Sequence, residues 1–244
     1  GEEKPFAVIG NGSNLLVSDQ GYQGVVISTE KLDHCQVEGN QIRAEAGVKL
    51  ARMAKQALEH GLAGLEFAAG IPGTVGGALV MNAGAYGSEM KNVLVDAVLL
   101  TKDGAVIRRT GEELELGYRT SNIPIEGLTV LEAEVRLQLG DKTEILRVMN
   151  DLAAKRREKQ PLEYPSAGST FKRPEGYFAG KLIDDAGLRG FQVGGAQVSE
   201  KHCGFVINRN QATAADVEEL CRQVAEKVKE QSGVDLEMEI KRLG

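Results

Sequence analysis

Little in this chain of 244 residues can serve as a covalent or metal cross-link. Its three cysteines, Cys35, Cys203 and Cys221, are odd in number, far apart and without a C-x-x-C pair. That argues against a disulfide framework or a cysteine zinc site and fits a reducing compartment. The three histidines, His34, His60 and His202, are equally scattered and offer no metal cluster. No run approaches the roughly 18 apolar residues of a membrane span, and no charged-then-apolar leader opens the sequence. The expected location is cytoplasmic, with no membrane contact. Positive charge is short as well: a formal net charge of −6 argues against a broad nucleic-acid surface. No G-K-[ST] follows a glycine run, so an NTPase is disfavoured. Internal repeats, low-complexity segments and any sign of an obligate protein partner are lacking too. With 42% hydrophobic and 26% charged residues, the chain reads as a soluble globular protein with one sizeable core or two smaller ones.

Glycine is what the sequence has in quantity. The stretch "EFAAGIPGTVGGALVMNAGAYG", Glu66 to Gly87, contains six glycines and five alanines. Helices rarely tolerate so much glycine, and strands gain little from such small side chains. It reads either as a loop packed tightly between strands or as bare main chain at Gly73, Gly76 and Gly77 left open to a ligand. An earlier turn, "VIGNGSNLLV", offers Gly10, Gly12, Ser13 and Asn14 after a short apolar strand, where backbone N–H groups can form an anion site. Leu15 stands where a G-x-G-x-x-G fingerprint needs its third glycine, so this turn alone says little. Two such loops together suit a nucleotide cofactor with a pyrophosphate and a flat ring system.

Between these loops, "FAVIG" and "VVIS" read as strands, and Leu50, Met53, Ala54, Ala57 and Leu58 mark a helix that stops at Gly61. "TVLEAEVRLQL" alternates, which puts Leu131, Ala133, Val135, Leu137 and Leu139 on one face. Ile145, Met149, Leu152 and Ala153 form a helical stripe closed by Pro161, the best candidate for a joint between two domains. Its "KRREK" end reads either as a solvated last turn, favourable to cations, or as a pocket for a phosphorylated small molecule. Thr213 and Asp216 have capping spacing ahead of a helix whose face is Val217, Leu220, Cys221, Val224 and Val228. After Gly233 the period becomes that of a strand, with Val234, Leu236, Met238 and Ile240 on one side and Asp235, Glu237, Glu239 and Lys241 on the other. Taken alone, Glu239 is a solvent-facing carboxylate, Ser169 a turn residue and Arg119 a loop cation. The mixture predicts an α+β protein of two domains.

Six segments, "GNGSNLLV", "GLEFAAGIPGTVGGALVMNAGAYG", "GYRTS", "AGSTFKRP", "AGKLIDDAGLRGFQVGGAQVSEKHCGFVIN" and "LEMEIKRLG", resemble in order and nearly end to end the UDP-N-acetylenolpyruvoylglucosamine reductase family. The short link from "REKQP" to "AGSTFKRP" resembles its compact form, which lacks an extra loop. The resemblance implies an FAD-binding domain of the PCMH/vanillyl-alcohol-oxidase-like type over residues 1–140 and a linking helix over 141–160. A smaller α+β substrate-binding domain follows over 161–244, with a last strand that returns Glu239 to the flavin site. It further implies NADPH-dependent reduction of UDP-N-acetylglucosamine enolpyruvate to UDP-N-acetylmuramate for peptidoglycan. Hydride passes from the flavin N5 to the terminal enol carbon, and a proton goes to its neighbour. By resemblance, Arg119 stabilises the enolate on the substrate carboxylate, Ser169 donates the proton and Glu239 assists the arginine.

The same match assigns FAD contacts to Gly10, Asn11, Gly12, Ser13, Asn14, Leu15, Ile71, Pro72, Gly73, Thr74, Gly76, Gly77, Gly84, Ala85, Tyr86 and Val130. Tyr86, Tyr118, Arg156, Lys159, Arg189 and His202 become substrate contacts, with Arg156 and Lys159 as cations for a diphosphate or the NADPH phosphate; a satisfied structural histidine remains the other reading of His202. The family's leading segment, with its arginine-isoleucine-glycine-glycine flavin contact, lies before the point where this chain starts. Arg173 stands where some relatives have asparagine. Competing readings are another FAD oxidoreductase on this scaffold, disfavoured in its covalent-flavin form by the absence of histidine from both glycine loops, and a flavin-less nucleotide-sugar binder.

Overall fold

A computed structural model describes residues 4–244. Packing divides it into two compact units, one of Phe6–Gly12 with Val26–Arg156, the other chiefly of Ser13–Val25 with Arg157–Gly244. Cuts at residues 140 and 161 would leave Ser13–Val25 with the N-terminal half; packing groups it with the C-terminal half instead.

The first unit is built on five antiparallel strands. Their spatial order is Val106–Thr110, Leu94–Leu100, Thr129–Arg136, Gln41–Glu45, Cys35–Glu38. Helix α1, Leu50–Glu59, buries Leu50, Met53, Ala54 and Ala57, while Leu58 is half-buried. Each large apolar side chain so buried contributes roughly 1.5–3 kcal/mol. "FAVIG" and "VVIS" form the strands Phe6–Ile9 and Val25–Ser28.

Two local expectations shift. The pairing of Thr129–Arg136 slips between Val130 and Glu132 and again between Glu134 and Val135. The slip after Val130 brings that residue onto the core face with Ala133, Val135 and Leu137, whereas Leu139 lies past the end of the long strand, in the short pair of Gln138–Leu139 with Leu62–Ala63, and is 83% exposed. The glycine-rich stretch also contains more than loop. Glu66–Gly70 is a 3-10 turn, and Val75–Val80 is helix α2. There Gly76 is buried and its N–H donates to the Ala46 carbonyl at 2.9 Å. A Cβ at Gly76 would lie 3.0 Å from the Ala46 Cβ, so close packing onto the protein's own backbone overrides glycine's poor helix propensity. Helix α3, Lys142–Lys159, buries only Ile145 of its expected stripe; Met149, Leu152 and Ala153 are half-buried.

In the second unit, helix α4, Ala179–Asp185, and helix α5, Ala214–Ser232, lie with a three-stranded antiparallel sheet, Gln192–Val193, Ala196–Val198 and Val206–Asn208. Leu220, Cys221, Val224 and Val228 of α5 share a core with Phe171, Ile183, Leu188 and Val198. The capping signal forms: Thr213 accepts from the Asp216 N–H, Asp216 accepts from the Thr213 N–H, and Gly233 ends the helix at φ 73°. The Asp19 carboxylate accepts from the Ala214 and Ala215 N–H groups at 2.7 and 3.1 Å, which ties the early segment to this unit. The strand expected after Gly233 shortens to Lys241–Leu243, parallel to Leu15–Val17. Among the described residues no helix is long and apolar enough to cross a membrane.

Candidate active site

In the first unit the two glycine loops meet. The Asn11 Nδ2 donates to the Pro72 carbonyl at 2.8 Å, and a Cβ at Gly10 would sit 2.2 Å from the Thr74 Oγ1. Thr74 precedes α2, yet its hydroxyl caps nothing; it is buried without a partner among the described residues. At Gly77 the main chain is exposed, and a Cβ would meet only that hydroxyl, at 3.7 Å. Gly12 faces open space.

Past α2, Gly84–Ala85 pairs with Ser88–Glu89 around a turn of Tyr86 and Gly87, whose φ values are 55° and 89°. The "GYRTS" segment is a second tight turn: Gly117 bridges Thr120 across Tyr118 and Arg119. Arg119 has φ 54°, and non-glycine residues held in that region concentrate where a site demands a particular geometry. Its Nη2 donates to the Gly84 carbonyl at 3.1 Å, and its guanidinium stands 5.4 Å from the centre of the Tyr118 ring. Asn82 and Ser121, missed in the sequence, anchor this turn to the end of α2. The Asn82 Nδ2 donates to the Gly117 carbonyl, and the Ser121 Oγ to that of Val80. Arg156, half-buried on α3, lies against Gly70 with its guanidinium 5.9 Å from the Tyr86 ring centre. Its Nε is buried without a partner among the described residues. Val130 sits in the core.

In the second unit the residue beside Ser169 does the joining. Thr170 is buried; its N–H donates to the Gly204 carbonyl, its Oγ1 accepts from the Val206 N–H, and its carbonyl accepts from the Glu239 N–H. Ser169 and Glu239 are thereby placed on adjoining segments. Ser169 is exposed. Glu239 is buried, a correction to the solvent-facing reading: alternation fails where the chain joins Thr170 and Asn14. Asn14 and Leu15 serve this segment too, since the Asn14 carbonyl accepts from the Lys241 N–H and Leu15 pairs with Lys241.

Two weaker candidates are engaged within the protein. Arg189 forks onto the Asp184 carboxylate and donates to the Glu200 carbonyl. That fork holds the Asp184 carboxyl below its ordinary range, while burial pushes the nearby Cys203 thiol up to about 11. The His202 Nδ1 accepts from the Gly204 N–H at 3.0 Å, its ring packs edge-on to Phe205, and burial favours its neutral form. A structural histidine accounts for these contacts. Lys159 is exposed.

The chain as a whole is similar to known proteins. A model described as an FAD binding domain matches residues 1–110, and one for the UDP-N-acetylenolpyruvoylglucosamine reductase C-terminal domain matches residues 160–243. The reductase of Agathobacter rectalis is 56% identical over 259 residues, 99% of this chain and 81% of that protein. That of Oceanobacillus iheyensis is 52% identical over 243 residues, covering 100% and 79%. The chain belongs to the UDP-N-acetylenolpyruvoylglucosamine reductase family. A crystal structure of the Thermus caldophilus reductase superposes with a TM-score of 0.87 at 40% identity, covering 99% of this chain and 86% of that one.

The residues fit the family's flavin. A buried hydroxyl without a protein partner is costly unless something else bonds it, and Thr74 lies beside the bare main chain of Gly77 and Gly10. Gly76 plays a different part, since its missing side chain makes room for Ala46.

Proposed function

We propose that the protein reduces UDP-N-acetylglucosamine enolpyruvate to UDP-N-acetylmuramate in the cytoplasm, with NADPH as co-substrate. Family membership carries the reading. FAD, when bound, supplies a carrier that takes hydride from NADPH and passes it to the terminal enol carbon. Gly10, Asn11, Gly12, Thr74 and Gly77 would hold it, through main chain and the Thr74 hydroxyl.

Hydride addition leaves negative charge on the neighbouring carbon and its carboxylate. Arg119 answers that charge, because a guanidinium stays cationic and donates from two N–H groups in one plane. Its left-handed turn is set by Gly117, Asn82 and Ser121 before substrate arrives, so little reorganisation accompanies the step. Ser169 donates its hydroxyl proton to the carbon; a hydroxyl is a weak acid, but a carbanion is a very strong base. Its exposure lets solvent return the proton. By resemblance to the family, Glu239 is the carboxyl that assists this step. Arg156 and Lys159 take the phosphate charge of the nucleotide.

Turnover by the purified holoenzyme tests this. NADPH absorbance should fall when the enolpyruvyl sugar nucleotide is added, with a product heavier by two hydrogens. Turnover with lactate-like substrates in its place would show another flavin oxidoreductase.

A further inference from the structure

The end of α2 carries a residue that its helix cap alone does not require. The Asn82 N–H donates to the Leu79 carbonyl at 3.2 Å and the Ala83 N–H to the Ala78 carbonyl at 2.8 Å, the paired bonds of a Schellman cap. At φ 40°, Asn82 occupies the left-handed position where glycine is the usual residue. Six glycines lie in the surrounding stretch, yet this position is asparagine. Its side chain gives the reason. Wholly buried, at 0% exposure, it uses both ends of the amide. The Nδ2 donates to the Gly117 carbonyl at 3.0 Å, and the Oδ1 accepts from the Lys91 N–H at 2.9 Å.

These two partners belong to different turns. Gly117 opens the turn that carries Arg119, while Lys91 follows the Gly84–Glu89 hairpin that carries Tyr86. Arg119 itself donates to the Gly84 carbonyl of that hairpin. One planar amide therefore fixes the spacing of the two turns, with the Arg119 guanidinium laid across them.

We infer that Asn82 is a positioning residue, whose amide locks the Arg119 turn against the Tyr86 hairpin and so aims the guanidinium at the substrate carboxylate. The inference rests on the role proposed above for Arg119. A purely structural amide would lower stability and weaken every function alike. A positioning amide acts only through Arg119.

Asn82→Gly keeps the left-handed cap and removes both side-chain bonds. Asn82→Asp keeps the acceptor for Lys91 and sets an acceptor against the Gly117 carbonyl, so it carries the test if the glycine variant does not fold. Rapid mixing of the holoenzyme separates flavin reduction by NADPH from reoxidation by the enolpyruvyl substrate. Reduction should stay within about threefold of the unsubstituted rate while reoxidation slows by roughly 10- to 100-fold, the scale of a misaimed catalytic group. Affinity for the carboxylate-bearing product, read by calorimetry, should fall with it. In an Arg119→Ala background the same substitution should add no further loss. Unchanged reoxidation, equal slowing of both half-reactions, additivity with Arg119→Ala, or failure of both variants to fold would each overturn the positioning role. Arg119→Ala alone, if it reoxidises at the unsubstituted rate, overturns instead the role of Arg119 itself.

Discussion

Gly76 and Gly77 are neighbours on one short helix, and the structure predicts opposite consequences for adding a methyl group to each. At Gly77 a Cβ would meet only the Thr74 Oγ1, at an ordinary 3.7 Å. Alanine therefore brings only its better helix propensity, roughly 0.5–1 kcal/mol of added stability in the absence of ligand. If bare main chain at this point faces FAD, the same methyl intrudes on the cofactor, and an overpacked contact costs about 1–3 kcal/mol. That corresponds to FAD binding weakened about 5- to 150-fold. At Gly76 the Cβ would lie 3.0 Å from the Ala46 Cβ and 3.2 Å from its carbonyl oxygen, both held by the sheet. Overpacking of about 1–3 kcal/mol there outweighs the propensity gain, and Gly76→Ala should lower stability with or without cofactor. The assays are thermal unfolding of flavin-stripped protein and quenching of FAD fluorescence on titration. A Gly77→Ala protein that is more stable yet binds FAD like the unsubstituted chain would remove Gly77 from the flavin contact. One less stable when stripped would refute the steric reading of the helix.

Other expectations follow from the second unit. Asp19→Ala removes the carboxylate from the first two N–H groups of α5 and should cost roughly 0.5–2 kcal/mol in urea unfolding; an unchanged midpoint would show that water replaces it freely. Burial lowers the His202 pKa from 6.5, so the unfolded chain binds more protons than the fold as pH drops below that value. The stability held by the neutral ring is present above about pH 6.5 and is lost on acidification. His202→Asn, which keeps an acceptor for the Gly204 N–H, should lose part of that acid-dependent fall in melting temperature, and an undiminished fall would contradict the assignment.

The helix α5 was fully legible because cap, apolar stripe and terminal glycine are local signals that agree. The facing of Val130 was not, since a bulge depends on the partner strand and leaves no mark in the alternation itself; nor was the exposure of Leu139, which follows from the end of the long strand at Arg136. The helix inside the glycine stretch was hidden for a similar reason: propensity argued against it, and the Ala46 backbone that overrides propensity lies some thirty residues away. Glu239 alternates like a solvent-facing residue, yet its N–H belongs to Thr170, and only the fold shows that pairing. At the site, residue types alone left Arg119 a loop cation and Ser169 a turn residue; family resemblance singled them out. Asn82 carried a usable signal, an asparagine where a helix end favours glycine, but only once α2 is known to be a helix.

We propose that Ser169 delivers a proton after hydride has reached the enol, and the two half-reactions of Ser169→Ala probe that step by itself. Reduction of the bound flavin by NADPH should proceed at nearly the unsubstituted rate, while reoxidation by the enolpyruvyl sugar nucleotide should be crippled. Equal slowing of both steps, or reoxidation as fast as before, would contradict the account.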